Sequence, residues 1–188
     1  MDGLISIDLY LTSFLRNFIP HSLFFNSFFS FFSLKGSSIL IWLLVILIVV
    51  ILEERKNPGI TKQDKRFIIL FSLSFLLSFF LSDIILKNIF LRPRPIQLIQ
   101  PILTCPHDFS FPSTHAATAF AAATILTAFN KKRRWLYYTV ALLISYSRIY
   151  LGCHYFFDVL FGALLGYLIS KTILLQFFPD TSPSRKKS

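Results

Sequence analysis

The chain has 188 residues, of which 54% are hydrophobic and only 15% are charged, and its formal net charge is +10. This length fits a single domain, and the charged fraction lies well below that of ordinary soluble proteins, in which about a quarter of residues are charged. The composition therefore argues against a typical soluble enzyme and favours a membrane protein. A soluble helical protein with an unusually apolar core is the alternative.

The N-terminal part of the chain, residues 1–36, predicts an amphipathic segment in the membrane interface. Its first stretch mixes Leu, Ile and Phe with polar residues such as Asp8 and Arg16, and Pro20 then interrupts it. Its second stretch, residues 22–34, is rich in Phe and Ser but is shorter than the roughly 20 residues that a crossing needs. It either lies in the interface or merges with its neighbours into a sixth span.

Five apolar runs follow, and each predicts a membrane-spanning helix. Two of them are shorter and partly small or polar, which is typical of helices packed inside a bundle. The predicted spans are residues 37–52, 67–86, 114–129, 135–150 and 155–178. The sequence therefore predicts an all-α, multi-pass transmembrane helix bundle over residues 37–178, followed by a basic tail at 179–188.

Small residues predict which spans lie at the centre of the bundle. The run 114–129 is rich in alanine, and Gly162 and Gly166 stand four residues apart in the last run. Small side chains let helices approach closely. We expect these two spans to pack against each other, although the same glycine spacing could instead serve a homodimer.

The positions of the cations predict the orientation in the membrane. Apart from the residues that carry chemistry, nearly all Lys and Arg residues cluster at 53–66, at 131–134 and in the tail. With five spans these clusters fall on one side, which the positive-inside rule identifies as the cytoplasm. The connections 88–113 and 148–154 then face outward. This pattern predicts a multi-pass protein of the cell membrane and argues against a nucleic-acid-binding surface.

The two cysteines of the chain, Cys105 and Cys153, both fall near the predicted outward face, where a disulfide is chemically permitted. Two cysteines are too few for a disulfide framework, and a sequence does not show whether their Cα atoms come within bonding range. We expect two free thiols.

Ionisable residues at the ends of the predicted spans converge on this same outward face. Such residues are costly at a membrane boundary unless they pair, reach water or serve a site. The connection 92–112 contains five prolines, which exclude a regular helix and place it outside the hydrocarbon. The converging residues are Lys87, Arg92, Arg94, His115, Arg148, His154 and Asp158.

The cations at this face predict a phosphate site, because guanidinium groups match the geometry of phosphate oxygens. Ser113 and Thr114 add hydroxyls just before a predicted helix, where free backbone N–H groups and the helix dipole also favour an anion. Alternatively, these two residues serve only as the N-cap of that helix.

Two histidines and an aspartate at the same face predict phosphoryl chemistry. His154 and Asp158 are four residues apart and share a helical face if the last span begins near His154. An aspartate that accepts from one ring nitrogen leaves the other nitrogen free to attack phosphorus. His115 would be a second imidazole, able to protonate a leaving oxygen.

Carboxylates are scarce near this face, which argues against a dinuclear metal site. They are Asp83, Asp108 and Asp158. We therefore expect no metal and no other cofactor, with Lys and Arg neutralising charge instead. Asp83 stands four residues before Lys87 and either pairs with it or is simply a polar residue at a helix end.

Three motifs resemble those of the type 2 phosphatidic acid phosphatase superfamily, which shares its catalytic core with vanadium-dependent haloperoxidases. The first is KNIFLRPRP at residues 87–95, the second is PSTH at 112–115, and the third is SRIYLGCHYFFD at 147–158. The combination is highly specific. The short chain and the stretch FSFPSTHA at 109–116 are most similar to bacterial undecaprenyl pyrophosphate phosphatases.

The resemblance implies a role for each motif residue. His154 would be the nucleophile that forms a phosphohistidine, Asp158 its orienting partner and His115 the general acid. Thr114 replaces the family glycine whose N–H helps to hold phosphate, and Arg92 is an accessory cation outside the pattern. The residues expected at the phosphate are Lys87, Arg94, Ser113, Thr114 and Arg148.

The expected function is hydrolysis of a lipid pyrophosphate or lipid phosphate, with undecaprenyl pyrophosphate as the first candidate. Phosphatidate, phosphatidylglycerophosphate and lipid A are alternative substrates. A lipid-dependent phosphotransferase would use the same phosphohistidine, and a noncatalytic phospholipid-binding protein would keep only the basic pocket. The membrane spans disfavour haloperoxidase activity. The expected partners are the lipid substrate and membrane lipids, with a homodimer as an option and no nucleic acid.

Overall fold

A computed structural model describes residues 2–33, 42, 62–97, 101–102 and 104–177. These residues form an all-α structure, with no strand among them. Two short helices come first, α1 (Asp2–Asn17) and α2 (Leu23–Ser33). A long helical segment follows, made of α3 (Lys62–Phe79), a π-helical stretch (Phe80–Leu86) and α4 (Lys87–Phe90). The remaining helices are α5 (Thr114–Phe129), α6 (Arg134–Tyr150) and α7 (Phe156–Phe177).

Two of the described helices are long and apolar enough to cross a membrane, Asp64–Phe90 and Phe156–Phe177. Helices α5 and α6 coincide with the predicted runs 114–129 and 135–150, and α5 is a shorter apolar helix of 16 residues. The predicted span 37–52 lies outside the described residues except for Trp42, which is buried against α5 and α6. The number of spans therefore stays a prediction.

Local sequence explains where the helices near the site begin and end. Ser113 caps α5, because its hydroxyl accepts from the backbone N–H of Ala116 at 3.5 Å. Helix α4 ends where Leu91 takes a left-handed conformation (φ 48°) and donates its N–H to Lys87 O at 3.0 Å. Pro93 follows, and proline cannot continue a helix.

Helix α5 lies at the centre of the bundle, packed against α3, α6 and α7, and six of its seven alanines are almost fully buried. Gly162 and Gly166 of α7 face this helix. A Cβ atom on either glycine would come closer than 3.0 Å to a backbone carbonyl of α5, that of Ser113 or that of Ala117. The predicted packing of these two spans is confirmed. The two glycines pack against α5 inside the chain, and the option of a homodimer stays a prediction.

The two N-terminal helices pack onto the ends of α6 and α7. In α1, Asp8 and Thr12 are buried, although both are polar. In α2, Phe29 packs on Tyr150 at the end of α6, with ring centroids 4.5 Å apart. The placement of residues 1–36 in the membrane interface stays a prediction, because these contacts are with the bundle and not with lipid.

The expectation of two free thiols is wrong, because Cys105 and Cys153 form a disulfide with a Cα–Cα distance of 5.6 Å. The connection after α4 folds back over the turn between α6 and α7, where Ile102 donates its N–H to Leu151 O at 3.1 Å. This return, which is not encoded in local sequence, brings the two cysteines within bonding range.

Candidate active site

The structure brings the residues of all three motifs together at one end of the bundle. Lys87 begins α4, Ser113 caps α5, Arg148 lies in the last turn of α6 and Asp158 in the first turn of α7. A backbone hydrogen bond of 2.9 Å from Ser113 N to Asp158 O joins the starts of α5 and α7. The site is therefore assembled from helix ends, as the converging ionisable residues predicted.

The third motif forms a tight turn between α6 and α7. Gly152 has φ 79°, a left-handed conformation that suits glycine, and the N–H groups of Cys153 and His154 both donate to Arg148 O. His154 precedes α7, which begins at Phe156, so the prediction that His154 and Asp158 share a helical face is wrong. The turn nevertheless places the Nδ1 atom of His154 3.5 Å from Oδ2 of Asp158.

The surroundings of His154 define its tautomer. Arg94 Nη1 lies 3.0 Å from His154 Nε2, and a guanidinium can only donate. Nε2 therefore carries the lone pair, and the proton of the neutral ring is on Nδ1, which faces Asp158. Burial, and then the charges of Arg94, Arg148 and Lys87, lower the pKa of His154 well below its ordinary value. The ring is held neutral with its lone pair beside a cation.

His115 lies in the first turn of α5 and is partly exposed, so solvent or a ligand can reach it. It is close enough to interact electrostatically with four predicted site residues, Arg148, His154, Lys87 and Arg94. The two imidazoles thus belong to one cluster of ionisable groups.

Asp108, in the proline-rich loop, binds two cations: Lys87 of α4 and Arg94 of the same loop. Its carboxylate accepts from Lys87 Nζ and, at 2.5 Å, from Arg94 Nη2, and its backbone O accepts from Arg94 Nε at 2.9 Å. Ser110 N donates a 2.8 Å hydrogen bond to Arg92 O. This bond folds the loop back on itself and brings Asp108 next to Arg94. This role was missed from the sequence, where the only signal was one acidic residue in a basic loop.

Burial by itself would raise the pKa of Asp108, but its hydrogen bonds from Lys87 and Arg94 outweigh that effect and lower the pKa to about 2. The carboxylate therefore stays charged at any pH near neutrality. It lies against two groups that the resemblance assigns to phosphate, and about 40% of its side chain remains exposed.

Thr114, which replaces the family glycine, links the first two motifs. Its hydroxyl donates to Asp83 Oδ1 at 2.8 Å, and Asp83 also accepts from Lys87 Nζ. The pairing of Asp83 with Lys87 that the sequence suggested is therefore present. The branched side chain of Thr114 thus supports Lys87 through Asp83.

Arg148 is buried and reaches α2, where its Nη1 donates to the backbone O of Ser33 at 3.0 Å and to the Ser33 hydroxyl. This partner was not predicted. Its charge acts on Arg94, His115 and His154, so Arg148 still contributes to the positive potential of the pocket.

Arg92 does not join the cations around His154. It pairs with Asp158, with Nη1 2.7 Å from Oδ1, and its guanidinium lies 4.0 Å above the ring of Tyr155. This contact identifies Arg92 as support for Asp158.

Within the described part of the chain, no group of His, Cys, Asp and Glu could hold a metal ion.

Comparison with known proteins supports one family. The model of the PAP2 superfamily matches residues 67–182, more than half of the chain. An undecaprenyl-diphosphatase of Sulfolobus acidocaldarius is 30% identical over 150 residues, which cover 78% of this chain and 67% of that protein. A lipid A 4'-phosphatase of Bacteroides thetaiotaomicron is 34% identical over 117 residues, and the match spans only about half of that protein (52%).

Solved structures agree with the family match. LpxE of Aquifex aeolicus has a TM-score of 0.66 and 30% identity, covering 89% of this chain and 94% of that one. A transmembrane PAP2 type phosphatidylglycerolphosphate phosphatase from Bacillus subtilis has a TM-score of 0.62 and 25% identity, covering 92% and 85%. These matches show that the chain belongs to the PAP2 superfamily and is a membrane-embedded lipid phosphatase.

Proposed function

We propose that this phosphatase hydrolyses a lipid pyrophosphate through a covalent phosphohistidine on His154, with undecaprenyl pyrophosphate as the first candidate substrate. The observation that carries the proposal is the 3.0 Å contact between Arg94 Nη1 and Nε2 of His154, in which a guanidinium can only donate to the ring nitrogen. A phosphoryl group bound by Arg94 would be in contact with the lone pair of that nitrogen. Such proximity and charge neutralisation supply most of the catalysis of phosphoryl transfer.

In the first step, Nε2 of His154 attacks the terminal phosphorus, a P–N bond forms, and the bond from that phosphorus to the bridging oxygen breaks, so that lipid monophosphate leaves. His115 gives a proton to the departing oxygen. In the second step, water attacks phosphorus and passes a proton to His115, the P–N bond breaks, and phosphate leaves. Asp158 stabilises the charge that develops on the His154 ring through Nδ1.

The cations of the pocket neutralise the phosphoryl oxygens in both steps. Lys87 and Arg94 both lie against Asp108, and Arg148 adds its charge from the end of α6. Backbone N–H groups at the start of α5, next to Ser113 and Thr114, are further donors to the anion. These groups supply the positive charge that metal ions provide in other phosphatases, so we propose that the reaction needs no added metal.

The substrate assignment rests on the relative from Sulfolobus acidocaldarius, whose name gives undecaprenyl diphosphate as its substrate. Phosphatidylglycerophosphate, phosphatidate and lipid A stay alternatives, because the proposed site residues would contact phosphate and not the lipid tail. We further propose five spans, the site at the outward face, and the basic clusters and the tail 179–188 in the cytoplasm.

The test is phosphate release by the purified full-length protein, with and without chelator, from undecaprenyl pyrophosphate, phosphatidate and phosphatidylglycerophosphate. We expect chelator-resistant release, with undecaprenyl pyrophosphate preferred at least about tenfold in kcat/KM, which is about 1.4 kcal/mol in transition-state free energy. A preference for another lipid would correct the substrate, whereas no release from any lipid would overturn the proposal. Release that requires an added lipid or sugar acceptor would indicate a phosphotransferase instead.

Asp108 leads to a prediction about substrate affinity. Because its carboxylate competes with phosphate for Lys87 and Arg94, Asp108→Asn is expected to lower KM by about threefold to tenfold, which is about 0.6–1.4 kcal/mol and within the net value of a typical hydrogen bond. Initial rates over a range of substrate concentrations measure this. Since the pKa of Asp108 is lowered to about 2, the difference should stay constant between about pH 5 and pH 8 and fade only in strong acid.

Asp64→Asn is the matched control, since Asp64 lies in the first turn of α3, at the opposite end of the long helical segment from Lys87. It makes the same chemical change and should leave KM unaltered. An increase in KM on Asp108→Asn would mean instead that the carboxylate orients the two cations for substrate.

A further inference from the structure

Helix α1 places a carboxylate and a hydroxyl in the interior of the bundle. Asp8 and Thr12 are 1% and 0% exposed, one turn apart on the same face of α1. A buried carboxylate is costly unless it is paired and hydrogen-bonded. The partners of both side chains lie at the start of α7, immediately after the proposed nucleophile.

The first turn of α7 donates hydrogen bonds to side chains of α1. The first N–H groups of a helix have no partner within the helix. Here Phe156 N donates to Thr12 Oγ1 at 2.9 Å, and Phe157 N donates to Asp8 Oδ1 at 2.9 Å. Helix α1 thus caps α7 from outside and fixes the end of the helix that carries Asp158.

Arg92 connects Asp8 to Asp158. Its Nη2 lies 2.5 Å from Asp8 Oδ2 and its Nη1 lies 2.7 Å from Asp158 Oδ1. The second carboxylate oxygen of Asp158, Oδ2, accepts from Tyr155 N at 2.9 Å and faces His154 Nδ1. With Oδ1 bound by Arg92, the carboxylate is held in the rotation that presents Oδ2 to the imidazole.

We propose that Asp8 is a positioning residue for catalysis, which acts through Arg92 and through the α7 cap to hold Asp158 against His154. This inference rests on the proposed function, because it assigns Asp8 to the His154 reaction. A capping role alone would affect only the stability of α7. The bridge through Arg92 adds an effect on the orientation of the nucleophile.

Asp8→Asn separates the two roles, because asparagine keeps an oxygen for Phe157 N and removes the charge that faces Arg92. We expect kcat to fall by about tenfold to hundredfold, as is common when a supporting partner of a functional side chain is lost. We expect KM to stay within about twofold, since Lys87 and Arg94 are not touched.

Two further variants serve as a control and as a test of coupling between Asp8 and Arg92. Ser13→Ala alters an exposed hydroxyl of the same helix and should leave both kcat and KM unchanged. Arg92→Gln breaks the bridge at its centre, so combining it with Asp8→Asn should cost much less than the product of the two single effects. Independent effects that multiply would contradict action through Arg92.

Nitrogen NMR of ¹⁵N-histidine-labelled protein gives a readout that does not depend on turnover, with His154 assigned by comparison with His154→Ala. In the wild type we expect a neutral ring protonated on Nδ1, and Asp8→Asn should shift that resonance. If the wild type is active but Asp8→Asn leaves kcat and the spectrum unchanged, the inference is wrong and the proposed function stands. If the wild type releases no phosphate, the proposed function fails, and an unshifted His154 resonance would overturn the positioning role as well.

Discussion

Replacing His154 with alanine is expected to reduce phosphate release at least about 10³-fold, because the variant lacks the atom that forms the P–N bond. The effect should appear in kcat, whereas lipid binding through Lys87 and Arg94 should persist. Single-turnover assays with ³²P-labelled substrate measure both properties. In the wild type, acid-labile and base-stable label should accumulate on the protein, as expected for a phosphohistidine.

His107→Ala is the matched control for this experiment. His107 is an exposed histidine of the proline-rich loop and has no part in the proposed reaction. Its loss should leave the rate within about twofold of the wild type, as is usual for surface substitutions. Substantial residual turnover in His154→Ala would point to direct attack by water and would contradict the covalent route.

The second large effect is expected on stability, from Gly166→Ala in α7. The new Cβ atom would come closer than 3.0 Å to the backbone O of Ala117, in the buried centre of the bundle. One of the two helices must shift, and overpacking of this kind costs about 1–3 kcal/mol and occasionally more. In a protein of this size that corresponds to a fall of about 2–12 °C in the unfolding midpoint, measurable by thermal unfolding in detergent.

Gly3→Ala makes the same chemical change in α1, where an added Cβ atom would meet nothing within 4 Å. Its midpoint should equal that of the wild type or rise slightly, since alanine favours a helix over glycine. Equal midpoints for Gly166→Ala and Gly3→Ala would show that α5 and α7 do not pack as closely as described.

The helices around the site were predicted well because capping residues and apolar runs in the local sequence determine where they begin and end. The run 114–129 starts after Ser113, a good cap, and coincides with α5, while the run 155–178 differs from α7 by one residue at each end. Three motifs of specific spacing also identified the residues that meet at the pocket. Their chemical roles are still proposals, because a static arrangement does not show which atom reacts.

The parts that local sequence did not reveal depend on contacts between distant segments. Asp8 looked like the polar face of an interfacial helix, yet it is buried against residues about 150 positions later, such as Phe157. Cys105 and Cys153 were expected to be free because nothing near them shows that the loop folds back. Pairing of this kind is decided by tertiary packing, which neither hydropathy nor motif spacing encodes.

Gly162 lies close to Ser113, so the packing of α7 against α5 also fixes the position of Ser113 at the site. A side chain at residue 162 would press on the carbonyl of the α5 cap and displace the first turn of α5 itself. The position of Ser113 relative to the other site residues is therefore set by the distance between the axes of α5 and α7. Changes in headgroup selectivity can then arise from substitutions deep in the apolar interior, far from any group that touches phosphate.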